Sequence, residues 1–270
     1  MACNRLLSFG LVVLLAAPAS AQHVWLSPDP GRNVELDVAK GFFRSGSGIG
    51  FASFIVTAEG RFPVSPNLAI TAALPYATIS ESDAFNGSST STGVGNPWLG
   101  VEISPQQDFA IEAGIRPGIA SDAVAHEEAY FLGVFDDFNR LEAWLPKQTS
   151  VRGMAHLGRI PERGTFVTGI LGGTLLLAGN GAESQIDANY GLRLGVRDDH
   201  TLTSLTLTGR AELGHSLAGG SLDRTEHQVA ILVEGTRGAF RPNFSVGTFT
   251  RSNLRDEIKA IVTVGASFVF

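Results

Sequence analysis

Two acidic clusters contain residue types that could activate water. Asp198, Asp199 and His200 are consecutive, and Asp136 and Asp137 form a second acidic pair. A carboxylate beside an imidazole can act as a general base when both groups reach one scissile bond. The strand order derived below places the clusters at opposite ends of the expected fold. We therefore interpret the first as a tight Asp-rich turn and the second as a solvated helix face.

Serine and histidine could form a nucleophilic site if a third polar group oriented the histidine. Ser150 and His156 fall on one expected strand and His227 on another, while His215 and Ser216 lie in a long connection. None of them belongs to a recognisable nucleophile motif. An enzyme that modifies lipid or peptide therefore remains an alternative.

Metal, cofactor and nucleic-acid chemistry have little support. The six histidines show no pair at i, i+2 or i+4, and the single cysteine, Cys3, lies in the expected leader. The formal net charge is -6 and no basic run is present, which argues against a nucleic-acid partner. We expect no metal, no cofactor and no covalent chemistry.

A larger set of charged residues lies on the polar face of segments that alternate with period two. Asp187, Arg193 and Arg197, for example, alternate with apolar residues such as Leu192 and Leu194. Arginine facing lipid at the bilayer midplane costs about 2 to 4 kcal/mol, so in a membrane wall these charges must face the lumen. The expected lumen-lining residues are Glu59, Arg61, Glu102, Glu112, Arg116, Arg152, Asp187, Arg193, Arg197, Arg210, Glu212, Glu226 and Glu234. Such charges either pair into a packed interior or line a solute path, and the sequence leaves both open.

Twelve alternating segments carry these residues, and most reach the roughly 9 to 11 residues of a tilted spanning strand. They are 34–43, 51–62, 67–79, 96–104, 109–117, 148–159, 165–177, 185–197, 201–213, 225–236, 242–251 and 257–270. Segment 165–177 is apolar on both faces, so its register stays open. Short turns alternate with longer connections, among them 81–95 and 118–147. That alternation is typical of a membrane barrel with short periplasmic turns and longer external loops.

One segment has helical periodicity instead. In 127–145 the apolar residues recur at helical spacing, Glu127 and Glu128 lie in the first turn, and Pro146 follows the end. We predict an amphipathic helix in the longest external loop. It could cover the mouth, enter the lumen or rest on the outer leaflet, and packing on the rim is the simplest arrangement.

The first 21 residues have the three parts of a secretory leader: Arg5, the apolar run Leu6–Ala17, and the small residues Ala19–Ala21. We expect a signal peptide over 1–21 and one domain over 22–270. The cations comprise 17 Arg and 3 Lys, which favours fixed hydrogen bonding over mobile surface charge.

The chain ends on an alternating strand with Phe268 and Phe270 on its apolar face. With the leader and the alternation, this ending resembles bacterial outer-membrane β-barrels, whose terminal aromatic residue is recognised by the barrel-assembly machinery. The resemblance implies that Phe268 and Phe270 form the membrane-assembly signal. Arg61–Val64 and Gly93–Gly100 are also similar to transporter-like barrels associated with aromatic-degradation pathways, which implies uptake of small hydrophobic or aromatic solutes.

We therefore predict an all-β fold: a monomeric, 12-stranded antiparallel transmembrane β-barrel with one amphipathic helix in a long external loop. Its place would be the bacterial outer membrane of a Gram-negative host, with both termini periplasmic. The leading function is a narrow channel or transporter that passes an unidentified small solute through the lumen. A lipid- or peptide-modifying barrel enzyme and a structural or adhesive barrel are the alternatives. The solute, the open or plugged state of the lumen, and a strand count between 10 and 14 stay open.

Overall fold

The computed structural model describes residues 31–43, 52–83, 87–177, 184–213, 225–250 and 258–270. The predicted leader, 1–21, lies outside these residues, as do His215 and Ser216.

Thirteen strands and two short helical elements make up the described chain. The strands are β1 Asn33–Phe43, β2 Phe54–Ser65, β3 Leu68–Asp83, β4 Gly87–Val94, β5 Trp98–Gln106, β6 Phe109–Arg116, β7 Ser150–Leu157, β8 Gly164–Leu176, β9 Gln185–Arg197, β10 Thr201–Glu212, β11 Thr225–Gly235, β12 Phe240–Phe249 and β13 Ile258–Val269. The helix α1 spans Val124–Asp136 and a 3-10 helix, η1, spans Phe138–Trp144. Neither helical element in this part of the chain is long and apolar enough to cross a bilayer.

The strands close into one antiparallel barrel, because β1 pairs with both β2 and β13. Strands β4 and β5 both pair with β3, β4 along its second half and β5 along its first. They therefore share one position in the ring, and the barrel has the twelve strand positions that the sequence predicts. The break between β4 and β5 falls at Gly95–Pro97, where Pro97 has no N–H to continue the hydrogen-bond ladder.

One predicted connection is wrong. Segment 81–95 was expected to be a loop, whereas β3 continues to Asp83 and β4 pairs with it from Tyr76↔Val94 to Asp83↔Gly87. Its Ser, Thr and Gly composition suggested a loop, but the antiparallel partner supplies the backbone hydrogen bonds that a strand requires.

Short turns and longer connections lie at opposite ends of the barrel. The connections β2–β3, β5–β6, β7–β8, β9–β10 and β11–β12 are short and share one end, which we call the turn end. Gly158 and Gly238 in two of these connections have φ of +85° and +81°, a region that residues with a Cβ rarely adopt. The first and last strands also meet at the turn end, where Phe270 N donates to Arg32 O at 2.9 Å. We call the opposite end the loop end.

The barrel is apolar outside and polar inside. Leu99, Leu171 and Val167 are 58 %, 59 % and 60 % exposed on the outer face. The inner face instead buries charged and polar side chains, such as Glu102 at 3 % and Thr174 at 1 % exposed. This is the reverse of a water-soluble protein, and it is the distribution that contact with hydrocarbon requires.

Strand β8, whose register the sequence left open, follows the same rule. Phe166, Thr168 and Ile170 are buried inside, and Val167 and Leu171 are exposed outside. Its inward apolar residues have partners: Phe166 packs against Leu202 and Leu232, and Ile170 against Met154. They form small apolar clusters within an otherwise polar interior.

The predicted helix enters the barrel instead of packing on its rim. We call α1 and η1 together the plug (residues 124–144). Tyr130, Leu132 and Trp144 are buried against a patch of the inner wall that includes Ile55 and Ile79. The expected single helix over 127–145 is in fact broken, because Asp137, at φ -126° and ψ 45°, is not helical. The break lets Trp144 fold back against α1, where a Cβ on Gly133 would lie 2.1 Å from Trp144 Cδ2.

Candidate functional site

The plug places one carboxylate between three arginines of the barrel wall. Glu142 Oε1 lies 3.5 Å from Arg116 Nε and 3.5 Å from Arg152 Nη1, and Glu142 Oε2 accepts from Arg210 Nη1 at 3.0 Å. The arginines come from β6, β7 and β10, and each is at most 7 % exposed. We call Arg116, Arg152 and Arg210 together the arginine cradle.

Other wall residues orient the arginine cradle. Arg210 Nε also donates to Asp187 Oδ2 at 2.8 Å. Arg116 Nη1 donates to Asn96 O at 2.9 Å. The guanidinium carbons of Arg116 and Arg152 lie 5.6 and 6.0 Å from the centre of the Trp98 ring, within cation–π range.

The arginine cradle keeps Glu142 ionised. Burial by itself raises the pKa of the Glu142 carboxyl, but Arg210, Arg116 and Arg152 together outweigh it and lower that pKa to about 2. The plug is therefore held to the β6, β7 and β10 side of the barrel by charge.

A second ionic group joins the plug to β2. Arg140 Nε donates to Asp137 Oδ1 at 2.9 Å, and its Nη1 pairs with Glu59. Trp144 Nε1 donates to Asp137 Oδ2 at 3.3 Å. Asp137 is 1 % exposed, so the interpretation of Asp136 and Asp137 as a solvated helix face was wrong. Both acids enter the lumen because the helix that carries them does.

Asn96, at the interruption between β4 and β5, anchors the C-terminal end of the plug. Its Nδ2 donates to Leu145 O at 2.7 Å and to Glu142 O at 3.2 Å, and its Oδ1 accepts from Ala120 N at 2.9 Å. Asn96 is 0 % exposed. Its amide thus satisfies backbone groups that a buried, non-regular segment would otherwise leave unpaired.

Asp136 contacts the opposite wall. Its Oδ2 accepts from Gly41 N at 2.7 Å, and a Cβ on Gly41 would lie 2.1 Å from Asp136 Oδ1. Burial raises the pKa of Asp136 to about 7, although the Gly41 N–H and the charge of Lys40 partly offset that increase. This carboxyl is therefore half-protonated near neutral pH, whereas Glu142 is ionised.

The turn end holds a cavity of about 710 Å³, which we call the turn-end cavity. Inward residues of β2 and of β5 to β9 line it, including Arg61, Glu102, His156, Arg193 and Arg197. Arg61 and Glu102 form a two-point ion pair, with Nε–Oε2 at 2.7 Å and Nη2–Oε1 at 2.8 Å. The lumen is therefore packed by the plug toward the loop end and contains a cavity at the turn end.

The structure places all the sequence-predicted lumen residues on the inward face. Those that are nearly fully buried are Glu102, Arg116, Arg152, Asp187, Arg193, Arg210, Glu226 and Glu234, and those that are partly exposed are Glu59, Arg61, Glu112, Arg197 and Glu212. The arginine cradle unites Arg116, Arg152 and Arg210. Phe268 and Phe270, the predicted assembly signal, are 44 % and 78 % exposed on the outer face.

Sequence reasoning missed several inward residues. Glu35 and Asp37 of β1 are 9 % and 2 % exposed and alternate with the outward Val34 and Leu36, so the period-two pattern could have identified them. Glu142 had no such signal, because its partners lie on three separate strands.

The clusters that suggested hydrolysis do not form a catalytic arrangement in the described residues. Asp198 accepts from His200 N and Thr201 N at 2.7 Å, as in a tight turn, at the turn end. Ser150 and His156 face inward six positions apart on β7, and His227 Nε2 contacts Tyr190 Oη at 2.7 Å. Among the described residues, no group of three or more His, Cys, Asp or Glu side chains could hold a metal ion.

Comparison with solved structures gives matches over nearly the whole chain. The COG4313 outer membrane channel from Pseudomonas putida F1 matches with a TM-score of 0.62 at 10 % identity, over 93 % of this chain and 99 % of that one. LpxR from Salmonella typhimurium matches with a TM-score of 0.54 at 10 % identity, over 88 % and 100 %. The NanC porin matches with a TM-score of 0.53 at 8 % identity, over 87 % and 100 %.

No protein-family model matches the chain, and the curated proteins give no match. At these identities the structural matches establish the fold alone, and the narrower resemblance to aromatic-degradation barrels stays a prediction. Closure through β1 and β13, the apolar outer wall and the structural matches agree on that fold. The chain therefore has the fold of a closed antiparallel β-barrel, the fold that these outer-membrane proteins share.

Proposed function

We propose that this protein is a narrow outer-membrane channel for small solutes whose lumen the plug closes in the state described here. One observation carries the proposal: the lumen has a roomy, charged cavity at the turn end and a plug that is held toward β6, β7 and β10 by buried ion pairs and toward β1 to β3 mainly by apolar packing. A barrel of twelve strands lies between eight-stranded barrels, which side chains fill, and porins of 16 to 18 strands, which hold open pores.

The two sides of the plug differ in a way that suggests where a path would open. Toward β1 to β3, Tyr130, Leu132 and Trp144 pack against Ile55 and Ile79, beside the single Arg140–Glu59 ion pair described above. Toward β6, β7 and β10, the contacts are the ion pairs of the arginine cradle. Water and ions can replace ion pairs more readily than they can replace packed apolar surface. A solute path would therefore run between Glu142 and the arginine cradle, lined by charge.

The test is conductance in planar bilayers after tethering the plug. Asn139 Nδ2 donates to Gln228 Oε1 of β11 at 2.8 Å, so N139C and Q228C together place two thiols near each other. A short thiol-reactive cross-linker that joins them should abolish any openings and leave the barrel folded. Cleavage of a reducible linker should restore the openings.

A variant in which a short Gly/Ser linker replaces residues 124–144 should give the opposite result. We expect sustained conductance and faster swelling of liposomes in small sugars and amino acids. Far-UV circular dichroism would verify that the barrel persists. A folded but non-conducting plug deletion would rule out a channel and favour a structural or adhesive barrel.

Location and partners form part of the same proposal. We infer a place in the outer membrane as a monomer, with both termini periplasmic and Phe268 and Phe270 presented to the barrel-assembly machinery. The lipid bilayer would then be the partner of the apolar outer wall. The F270A variant should accumulate unassembled, because it removes the aromatic residue proposed to be recognised by the barrel-assembly machinery.

The enzyme alternative has one supporting observation, the structural similarity to LpxR, and that similarity concerns the fold alone. The described histidines contact groups other than serine, as His227 does with Tyr190 Oη. Small-solute passage without covalent chemistry therefore remains the better-supported function.

A further inference from the structure

Arg193 is a buried cation whose guanidinium tip forms no hydrogen bond with any described residue. The residue is 0 % exposed, its Nε donates to Ser204 Oγ at 2.9 Å, and its guanidinium carbon lies 5.8 Å from the centre of the Phe166 ring. Its Nη1 and Nη2 are buried yet have no hydrogen-bond partner in the described part of the chain. Removing a cation from water is costly unless its N–H groups find acceptors, so such a tip indicates a binding site.

The turn-end cavity is the space that Arg193 lines. Arg197, four residues further along β9 on the same inward face, also lines it, and its buried Nε likewise has no acceptor among the described residues. The lining contains four arginines and two glutamates, Glu102 and Glu162. Because Arg61 already pairs with Glu102, the cavity wall around β9 carries excess positive charge.

Nearby acids stabilise Arg193 electrostatically without forming hydrogen bonds to its Nη1 or Nη2. Glu234 and Glu35 act on it electrostatically, and neither lines the cavity. Their negative charge limits the positive potential at the site. The site therefore suits a singly charged anion better than a multiply charged one.

We propose that the turn-end cavity binds the carboxylate group of a small anionic solute on the Nη1–Nη2 edge of Arg193, with Arg197 as the second contact. A guanidinium offers parallel N–H groups that match the two oxygens of a carboxylate. Ser204 and Phe166 fix the guanidinium plane beforehand, so binding loses little side-chain entropy. The volume of about 710 Å³ is within the range of small-molecule sites. This inference rests on the proposed channel for its biological meaning and names the class of solute.

The direct test is calorimetric titration of the full-length protein in detergent with butyrate and with butyramide, its neutral counterpart of nearly the same shape. The wild type should bind butyrate and give no resolvable heat with butyramide. R193Q should weaken butyrate binding by at least about tenfold, since a charge-assisted, two-point hydrogen bond is lost. R193K, which keeps the charge without the planar edge, should also weaken it.

R159Q is the matched control. Arg159 lines the same cavity but is exposed and donates to Gln107 Oε1, so its loss removes equal charge without changing the buried edge. Butyrate binding should survive in R159Q. Equal binding of butyrate and butyramide, or unchanged butyrate binding in a folded R193Q, would overturn the proposal. Because this assay needs no conductance, its failure alone would leave a channel of different selectivity, and failure of the bilayer test alone would leave a carboxylate-binding barrel.

Discussion

Neutralising Glu142 should release the plug. In E142Q the side chain keeps its size and loses its charge, so Arg116 and Arg152 lose their carboxylate partner, while Arg210 retains Asp187. The residues involved are at most 7 % exposed, which places these ion pairs among buried ones. Breaking a buried ion pair by removing one partner costs about 3 to 5 kcal/mol.

This cost falls on the docked plug alone, because water hydrates the arginines once the plug leaves. The equilibrium between undocked and docked plug should then rise by at least about 100-fold. The measurement is open probability of single molecules in planar bilayers, at neutral pH and constant salt. E142Q should open far more often than the wild type, at an unchanged single-channel conductance.

The matched control is E127Q. Glu127 is an exposed residue in the first turn of α1, so the same charge is removed from the same plug without changing the arginine cradle. Its open probability should equal that of the wild type. An E142Q protein that folds and opens no more often than E127Q would refute the view that the arginine cradle holds the plug.

Three further predictions concern how the plug is held. Burial raises the pKa of Asp136 from 3.8 to about 7, so the docked plug should lose stability as pH rises from about 4 through 7. Open probability should therefore increase over that range. D136N, which cannot titrate, should abolish the increase. The opposite sign applies to Glu142, whose pKa is lowered from 4.5 to about 2, so its contribution is complete above pH 4.5 and is lost as pH falls toward 2. The wild type should therefore show a rise in open probability on acidification, whereas E142Q, which has no carboxylate to protonate, should not show that rise. G133A should undock the plug, because a Cβ would lie 2.1 Å from Trp144 Cδ2, and limited proteolysis should then cleave within 124–144. The control is G153A on β7, where a Cβ would have no neighbour within 4 Å. G153A should resist the protease as the wild type does.

Sequence periodicity predicted most of the barrel wall, although it missed the pairing of β4 with the second half of β3. In β9, Asp187 and Arg193 alternate with Leu192 and Leu194, and facing is a local consequence of strand geometry. The twelve positions and the alternation of short and long connections follow from the same pattern. The register of β8 could not be predicted because Phe166 and Val167 are equally apolar. Packing of Phe166 against Leu202 and Leu232 determines which of the two faces inward.

Tertiary structure alone decided what fills the lumen. The periodicity of 127–145 predicts helix but not its location, and the arginine cradle joins Glu142 to Arg210, 68 residues away, through strands whose order is set only by barrel closure. The break at Asp137 and the approach of Trp144 to Gly133 depend on the same enclosure. Charge complementarity between distant segments has no period along the chain, so the sequence identified which charges face inward but not which of them pair and which remain available to a solute.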